Sequence, residues 1–350
     1  MGVALTEFVT GKPIRIDSLG GKTVAIDAFN FLYQFLASIR GPDGALLTDS
    51  KGNVTSHLTG LFSRTSRLMQ AGIKCVFVFD GEHPALKQRE IERRSKIKEQ
   101  ARAEYEVAKE REDIDGMKKF AQRTTKLTPQ MVEESKALLL ALGLPVVQAP
   151  SEGEGQAAFM AAKGDVDFIA SQDTDSLLFG APRVVRNLSI LGKRKKVSKV
   201  TFEQVSPEVV TLSDVLNELG LDRKQLIILS ILVGTDFNVG GIKGVGPKTA
   251  LKLVKAAGAA GGSDANYDAM FAAQQWSTFF EYSWHDVYDL FWNMPTTNDY
   301  LLEWKPVNET RIIELLVDKH EFGAERVKAT IADLKKKTES TAQQGLGAFF

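Results

Sequence analysis

Cysteine is almost missing from this chain: Cys75 is the single one among 350 residues. No disulfide framework is available, so a reducing intracellular compartment is the expected setting. Histidine is scarce too, and His57, His83, His285 and His320 stand far apart along the chain, which speaks against a zinc site. No apolar run approaches the roughly 18–20 residues that span a bilayer, no signal peptide is recognisable, and no membrane partner is expected. The opening MGVALT matches the loose myristoylation pattern through Gly2 and Thr6, without the second signal that stable anchoring needs. Net charge is missing as well, 44 basic residues balancing 44 acidic ones. That balance hides patterning. Lysine and arginine crowd 87–102 and 193–199, while acids recur where apolar segments end. A segregated distribution of this kind binds a polyanion without any global excess of positive charge.

What is present describes an ordinary globular protein, with 43% apolar and 25% charged residues. The length suits two modest domains or one large domain with an insertion. Short β-branched or aromatic runs read as buried strands: TVAIDA (23–28), CVFVFD (75–80), PVVQA (145–149), FIAS (168–171) and RVVRN (183–187). Helical patterns at 31–39, 58–72 and 131–143 separate most of them. Strands alternating with helices predict an α/β fold around a mainly parallel central sheet flanked by helices, with ligands outside the carboxyl ends of the strands. An insertion at about 84–128 breaks the rhythm. Its first half is charged throughout with almost no apolar stripe, and fits either a solvated surface hairpin or a helix standing away from the core. Near 225 the composition shifts to a helix, a glycine-punctuated turn and another helix, then an aromatic helical region (266–304) with Trp276, Trp284, Trp292 and Trp304.

The acids at strand ends are the main chemical signal. Asp27 closes VAID, Asp80 closes VFVFD, Glu152 and Glu154 follow PVVQA, and Asp173 and Asp175 follow FIAS. Asp236 sits in the turn after an apolar helix. Each one alone has a bland explanation as a turn residue or helix cap. Ser151 and Glu154 even fit S-x-x-E, a capping box. Together they do not, because two carboxylates ~4 Å apart repel by about 4 kcal/mol at an effective dielectric near 20. A cluster of this size protonates or needs cations. An oxygen-only donor set favours hard ions, Mg²⁺ or Mn²⁺, and a two-metal clamp on a phosphodiester is the chemistry that uses one.

GIKGVGPKT (241–249) fails as a Walker A loop, since Pro247 separates Gly246 from Lys248. It fits better as G-x-G between two helices. There Gly244 and Gly246 would offer backbone N–H groups to a phosphate, with Lys243 and Lys248 beside them. A purely structural tight turn is the alternative.

Taken together, IDAFNFLYQFL, TSHLTGLFSRTSRLMQAGIKCVFVFDG, APSEGEGQAA, SQDTDSLLFGAP and GTDFNVGGIKGVGPKTAL make the chain resemble, over its whole length, the archaeal flap endonucleases of the XPG family of structure-specific 5′ nucleases. The resemblance implies a PIN-like 5′ nuclease fold with a helical arch at about 84–128 and a helix–two-turn–helix module. Along the chain it implies a nuclease region at 1–112, a second one at 129–235, a helical region at 225–330 and a flexible tail at 331–350. Asp27, Asp80, Glu152 and Glu154 would serve one Mg²⁺, and Asp173, Asp175 and Asp236 a second, with Mn²⁺ as a substitute. Lys87 and Arg94 match the family's basic groups at the arch base, and Tyr33 a tyrosine that stacks on a nucleotide, unless it is one more core aromatic. The basic segment GKRKK (192–196) would touch duplex backbone or form an ordinary hairpin. K⁺ would bind at the glycine-turn module. The end QQGLGAFF matches a sliding-clamp (PCNA) motif through Gln343, Leu346, Phe349 and Phe350, the alternative being an end docked on its own domain.

The implied activity is cleavage of branched DNA at 5′ flaps, with 5′–3′ exonuclease activity, in Okazaki fragment maturation and repair. A monomer in the cytoplasm, associated with the nucleoid, is expected. The alternatives are a non-catalytic DNA-binding or clamp-adaptor protein of the same fold, and a related 5′ exonuclease.

Overall fold

The computed structural model describes residues 7–110, 113, 116, 120, 126–188, 192–195 and 202–347; for 109–110, 192–195, 202–204 and 338–347 the backbone alone is described. The myristoylation pattern, most of the second half of the insertion, and Phe349 and Phe350 lie outside that set. By contacts the chain divides into two compact units, each assembled from three separated stretches. One comprises Met1–Ile14, Asp80–Arg93 and Gln148–Asn298, the other Arg15–Phe79, Arg94–Val147 and Asp299–Phe350.

Nine strands occur among the described residues: β1 (Lys12–Pro13), β2 (Thr23–Asp27), β3 (Lys74–Phe79), β4 (Val146–Gln148), β5 (Phe168–Ala170), β6 (Arg183–Arg186), β7 (Gly192–Lys195), β8 (Phe202–Val205) and β9 (Glu208–Thr211). All five runs read from the sequence are strands. In the first unit β5 and β6 are parallel, with Ile169 opposite Val184, and β9 and β1 extend this ribbon antiparallel in the order β1-β9-β6-β5. These two antiparallel strands are absent from the sequence reading because KP and EVVT are too short to show a period. β7 and β8 form a separate antiparallel pair, so Gly192–Lys195 of GKRKK is a hairpin strand.

The rest of the first unit is helical. Arg223–Val233 contributes Leu226, Ile227, Leu229, Ile231 and Leu232 to its core, and Phe271, Trp276 and Trp284 interlock beside it, Phe271 stacking on Trp284 at 4.7 Å. Burying so much aromatic surface is what anchors this helical region.

In the second unit β2 and β3 are parallel, Val24 opposite Cys75 and Ile26 opposite Phe77, with β4 next to β3. Helices Ala28–Ser38, Ser56–Gln70 and Pro129–Ala141 bury Phe31, Leu32, Phe35, Leu58, Leu61, Leu138 and Leu139. Strands buried on both faces explain the unbroken apolar runs in the sequence. Burial also pushes the Cys75 thiol up to about 12, leaving it inert.

Helix Ala324–Gly347 continues through much of the stretch expected to be a flexible tail, since Val327, Ile331 and Leu334 recur at helical spacing and are buried. Gln343 and Leu346 fall on this helix backbone. The charged segment of the insertion is also a helix, Gln88–Glu110. It is not solvated all round: Glu90, paired with Arg93 at 2.6 Å, is buried, as are Ala101 and Ala108. No helix among the described residues is long and apolar enough to cross a membrane.

The two sequence-distant histidines His57 and His320 meet in the interior of the second unit. His320 Nδ1 lies 3.1 Å from Asp49 and Nε2 3.2 Å from Glu134, while His57 Nε2 is 3.7 Å from Glu134. Distance along the chain was a poor guide to distance in space, although among the described residues no such group is arranged to hold a metal.

Candidate active site

Two loops that follow strands are laced together by backbone. Gly81 N–H donates to the Ser151 carbonyl at 2.7 Å and Glu82 N–H to the Pro150 carbonyl at 3.2 Å. A side chain at position 81 would place its Cβ 2.2 Å from the Ala149 carbonyl oxygen, so only glycine permits this approach. The lacing brings Asp80 and Glu152 into one site. Asp80 Oδ1 accepts the Gly153 N–H at 2.7 Å, at the first residue of helix Gly153–Lys163, where a carboxylate also meets the positive end of the helix dipole. Glu152 accepts the Lys87 ammonium and lies 3.4 Å from His83 Nδ1.

The charges in this group answer one another. Burial and the Glu152 charge push the Asp80 carboxyl up from its ordinary value, with Lys87 opposing them. Burial alone would raise Glu152, but His83 and the Lys87 ammonium outweigh it and hold the carboxyl low. Burial likewise pulls Lys87 down, and Glu152, Asp80 and Asp236 more than offset that. Asp236 thus acts on the same ammonium that Glu152 binds.

Glu154 is held by two hydroxyls. Ser171 Oγ donates to its Oε1 at 2.6 Å and Ser176 Oγ at 3.0 Å. Ser171 Oγ also accepts the Asp173 N–H at 3.2 Å, and buried Asp175 opens the short helix Asp175–Leu178. The expected capping box does not form. Ser151 gives its hydroxyl to the Glu82 carbonyl at 2.9 Å, Glu152 takes the cap position, and Glu154 turns to the serines. The capping explanation therefore leaves Glu154 unaccounted for.

Six of the seven acids, Asp80, Glu152, Glu154, Asp173, Asp175 and Asp236, belong to the first unit. Asp27 belongs to the second, where it caps helix Ala28–Ser38 by accepting the Asn30 N–H at 3.0 Å. Among the described residues no three ligating side chains stand close enough to hold an ion. Protein donors occupy the acids instead: Gly153 N–H, the Lys87 ammonium, His83 and two serine hydroxyls. The donor set still fits a hard divalent cation, because it is all oxygen and because Asp80 and Glu152 share a desolvated space with one ammonium.

Tyr33 is 38% exposed, so it is not a core aromatic, and the Lys98 ammonium lies 5.0 Å from its ring centroid. Burial and the nearby Arg94 and Lys126 charges pull Lys98 down. Crowded cations of this kind are relieved by an anion. In the glycine turn Lys243, Gly244, Gly246 and Lys248 are all exposed. Gly244 has φ +89°, Gly246 is the cap of helix Pro247–Ala259, and a Cβ on either would meet nothing within 4 Å. Pro247 occupies the first helical turn, where its missing N–H costs nothing, and this is why the Walker pattern is interrupted. Sequence reasoning missed Gly81, His83, Ser171 and Ser176. His83 and Gly81 adjoin Asp80 and could have been suspected; nothing in the sequence marked the serines.

Two family models match the chain, the XPG N-terminal domain over residues 2–101 and the XPG I-region over 143–236. Flap endonuclease 1 of Pyrococcus abyssi is 49% identical over 350 residues, covering 100% of this chain and 98% of that protein. The chain belongs to the flap endonuclease 1 family. Flap endonuclease-1 from Methanococcus jannaschii has the same fold, with a TM-score of 0.75 and 38% identity over 97% of this chain and 100% of that one. The catalytic core of Rad2 in complex with DNA substrate also matches, with a TM-score of 0.68 and 25% identity over 95% of this chain and 100% of that one. The fold is the family's mixed, mostly parallel sheet flanked by helices. Membership makes this chain a structure-specific flap endonuclease, a metal-dependent nuclease hydrolase.

Proposed function

We propose that this flap endonuclease cuts the phosphodiester at the single-strand/double-strand junction of a 5′ flap, and trims 5′ ends exonucleolytically, with two Mg²⁺ ions (or Mn²⁺) held by its seven acids. The observation that carries this reading is the desolvated pair Asp80 and Glu152 balanced by Lys87. Asp27, Asp80, Glu152 and Glu154 would hold one ion and Asp173, Asp175 and Asp236 the other, supplying charge neutralisation and an activated water. Lys87 and Arg94 would neutralise the scissile phosphate, Lys87 giving up its contact with Glu152 where that carboxylate would hold a cation.

Tyr33 stacks on a nucleotide beside the cut, worth about 1–3 kcal/mol. Gly244 and Gly246 grip duplex phosphates by their N–H groups, flanked by Lys243 and Lys248, with K⁺ bound at the same turn. The residues 84–128 form the arch that admits the free 5′ end. Gln343, Leu346, Phe349 and Phe350 bind the sliding clamp, and the protein acts as a monomer in replication and repair, in the cytoplasm with the nucleoid.

The test is cleavage of a 5′-flap duplex in Mg²⁺ by the parent and by Asp175→Ala. Cleavage at the junction that disappears in the variant supports the reading. Equal cleavage by both overturns the mechanism, and binding without cleavage by both identifies an adaptor.

A further inference from the structure

The turn that carries Asp236 is braced twice. Inside it, Asn238 Oδ1 accepts the Thr235 hydroxyl at 2.6 Å, Asn238 Nδ2 donates to the Ile231 carbonyl at 2.7 Å, and Phe237 N–H donates to Thr235 Oγ1 at 3.1 Å. From outside, the Tyr282 hydroxyl donates to the Phe237 carbonyl at 2.9 Å, one peptide beyond Asp236. Tyr282 is itself fixed. Its carbonyl accepts the Trp276 indole N–H at 2.6 Å, and its ring lies 5.5 Å from that of Phe280. The same ring receives the Arg89 guanidinium, 5.9 Å from the centroid, while Arg89 Nη2 lies 3.5 Å from Glu281. Arg89 stands in the first turn of helix Gln88–Glu110, two positions after Lys87.

We propose that Tyr282 is a positioning residue for flap cleavage, a strut that ties the Asp236 turn to the start of the helix next to Lys87. One end of the phenol holds the backbone beside an acid, and its face holds the cation that follows the catalytic lysine. The hydrogen bonds of Thr235 and Asn238 brace the turn from within, and Tyr282 adds a link from that turn to Arg89, two positions after Lys87. A fixed separation of Lys87 from Asp236 keeps both groups available to the phosphate, and displacements of about 1 Å in such a site cost up to ~10²-fold in rate. This inference rests on reading Asp236 as a metal ligand.

If Tyr282 were only packing, phenylalanine would replace it without consequence. The test compares full-length parent, Tyr282→Phe, Tyr282→Leu and Asp236→Asn. It reads Mn²⁺ affinity by calorimetry without DNA, flap-duplex affinity in Ca²⁺, single-turnover cleavage in Mg²⁺, and melting temperature. Tyr282→Phe is expected to weaken Mn²⁺ binding about fivefold and slow cleavage about tenfold, with DNA affinity within twofold and melting unchanged. Tyr282→Leu, which also removes the ring under Arg89, slows cleavage further. Parent-like Mn²⁺ affinity and rate in Tyr282→Phe overturn the strut, as do losses that only follow melting temperature. Asp236→Asn separates the two readings. If it leaves Mn²⁺ affinity at the parent level, the ligand assignment fails; if it weakens Mn²⁺ binding and Tyr282→Phe does not, the strut alone fails.

Discussion

Lys87 rests its ammonium on the Glu152 carboxylate, so the site's own cation occupies an acid proposed above as a metal ligand. Replacing Lys87 by methionine keeps most of the side chain's volume and removes its charge. Single-turnover cleavage is expected to fall about 10²–10³-fold, with flap affinity nearly unchanged. A parent-like rate in rapid-quench measurements would remove Lys87 from the chemistry.

Ser171 and Ser176 both donate to Glu154 Oε1. Their joint replacement by alanine is expected to raise the Mg²⁺ concentration for half-maximal cleavage about tenfold. Each lost hydroxyl should also cost about 1 kcal/mol of stability. A Mg²⁺ titration at saturating flap substrate checks the first effect and urea unfolding the second.

The buried group in the second unit predicts acid sensitivity. Burial pulls His57 down to about 4 from 6.5, so the unfolded chain binds its proton first as pH falls. Stability from this group is present above pH ~6.5 and is lost between there and ~4, by roughly 3 kcal/mol in all. Glu134 adds a loss of the same sign as pH falls below its ordinary 4.5: burial would raise it, but Lys319, Gln130 and His320 hold it low. Asp49 does so at lower pH, since Asn53, His320 and the Lys51 N–H overcome burial and keep it at about 2. His57→Gln should lose less stability than the parent between pH 7 and 4.5, read from urea midpoints at both pH values. Identical pH slopes would show that His57 does not titrate in this way.

Gly81→Ala puts a methyl 2.2 Å from the Ala149 carbonyl oxygen. The expected cost is about 3 kcal/mol, with cleavage lost because Asp80 and Glu152 separate. A melting temperature within a degree of the parent would contradict the lacing of the two loops.

Deleting 343–350 should leave cleavage of short free flaps nearly intact and abolish stimulation by the sliding clamp. Equal stimulation of the truncated chain would make the match at Gln343, Leu346, Phe349 and Phe350 incidental.

The sequence alone marked the strands by their apolar runs, the acids by their place at the ends of those runs, and the glycine turn by its punctuation. All of these are local, because a period, a strand end or a positive φ is set by a few adjacent residues. Tertiary structure decided what each acid faces: Glu154 meets serines from 171 and 176 instead of a cap, and Glu152 meets Lys87. It also brought His57 to His320 through Glu134, and Tyr282 to Phe237. Such pairings depend on where distant backbone segments come to lie, and hydrogen bonds and charges act through space, so no spacing along the chain could announce them.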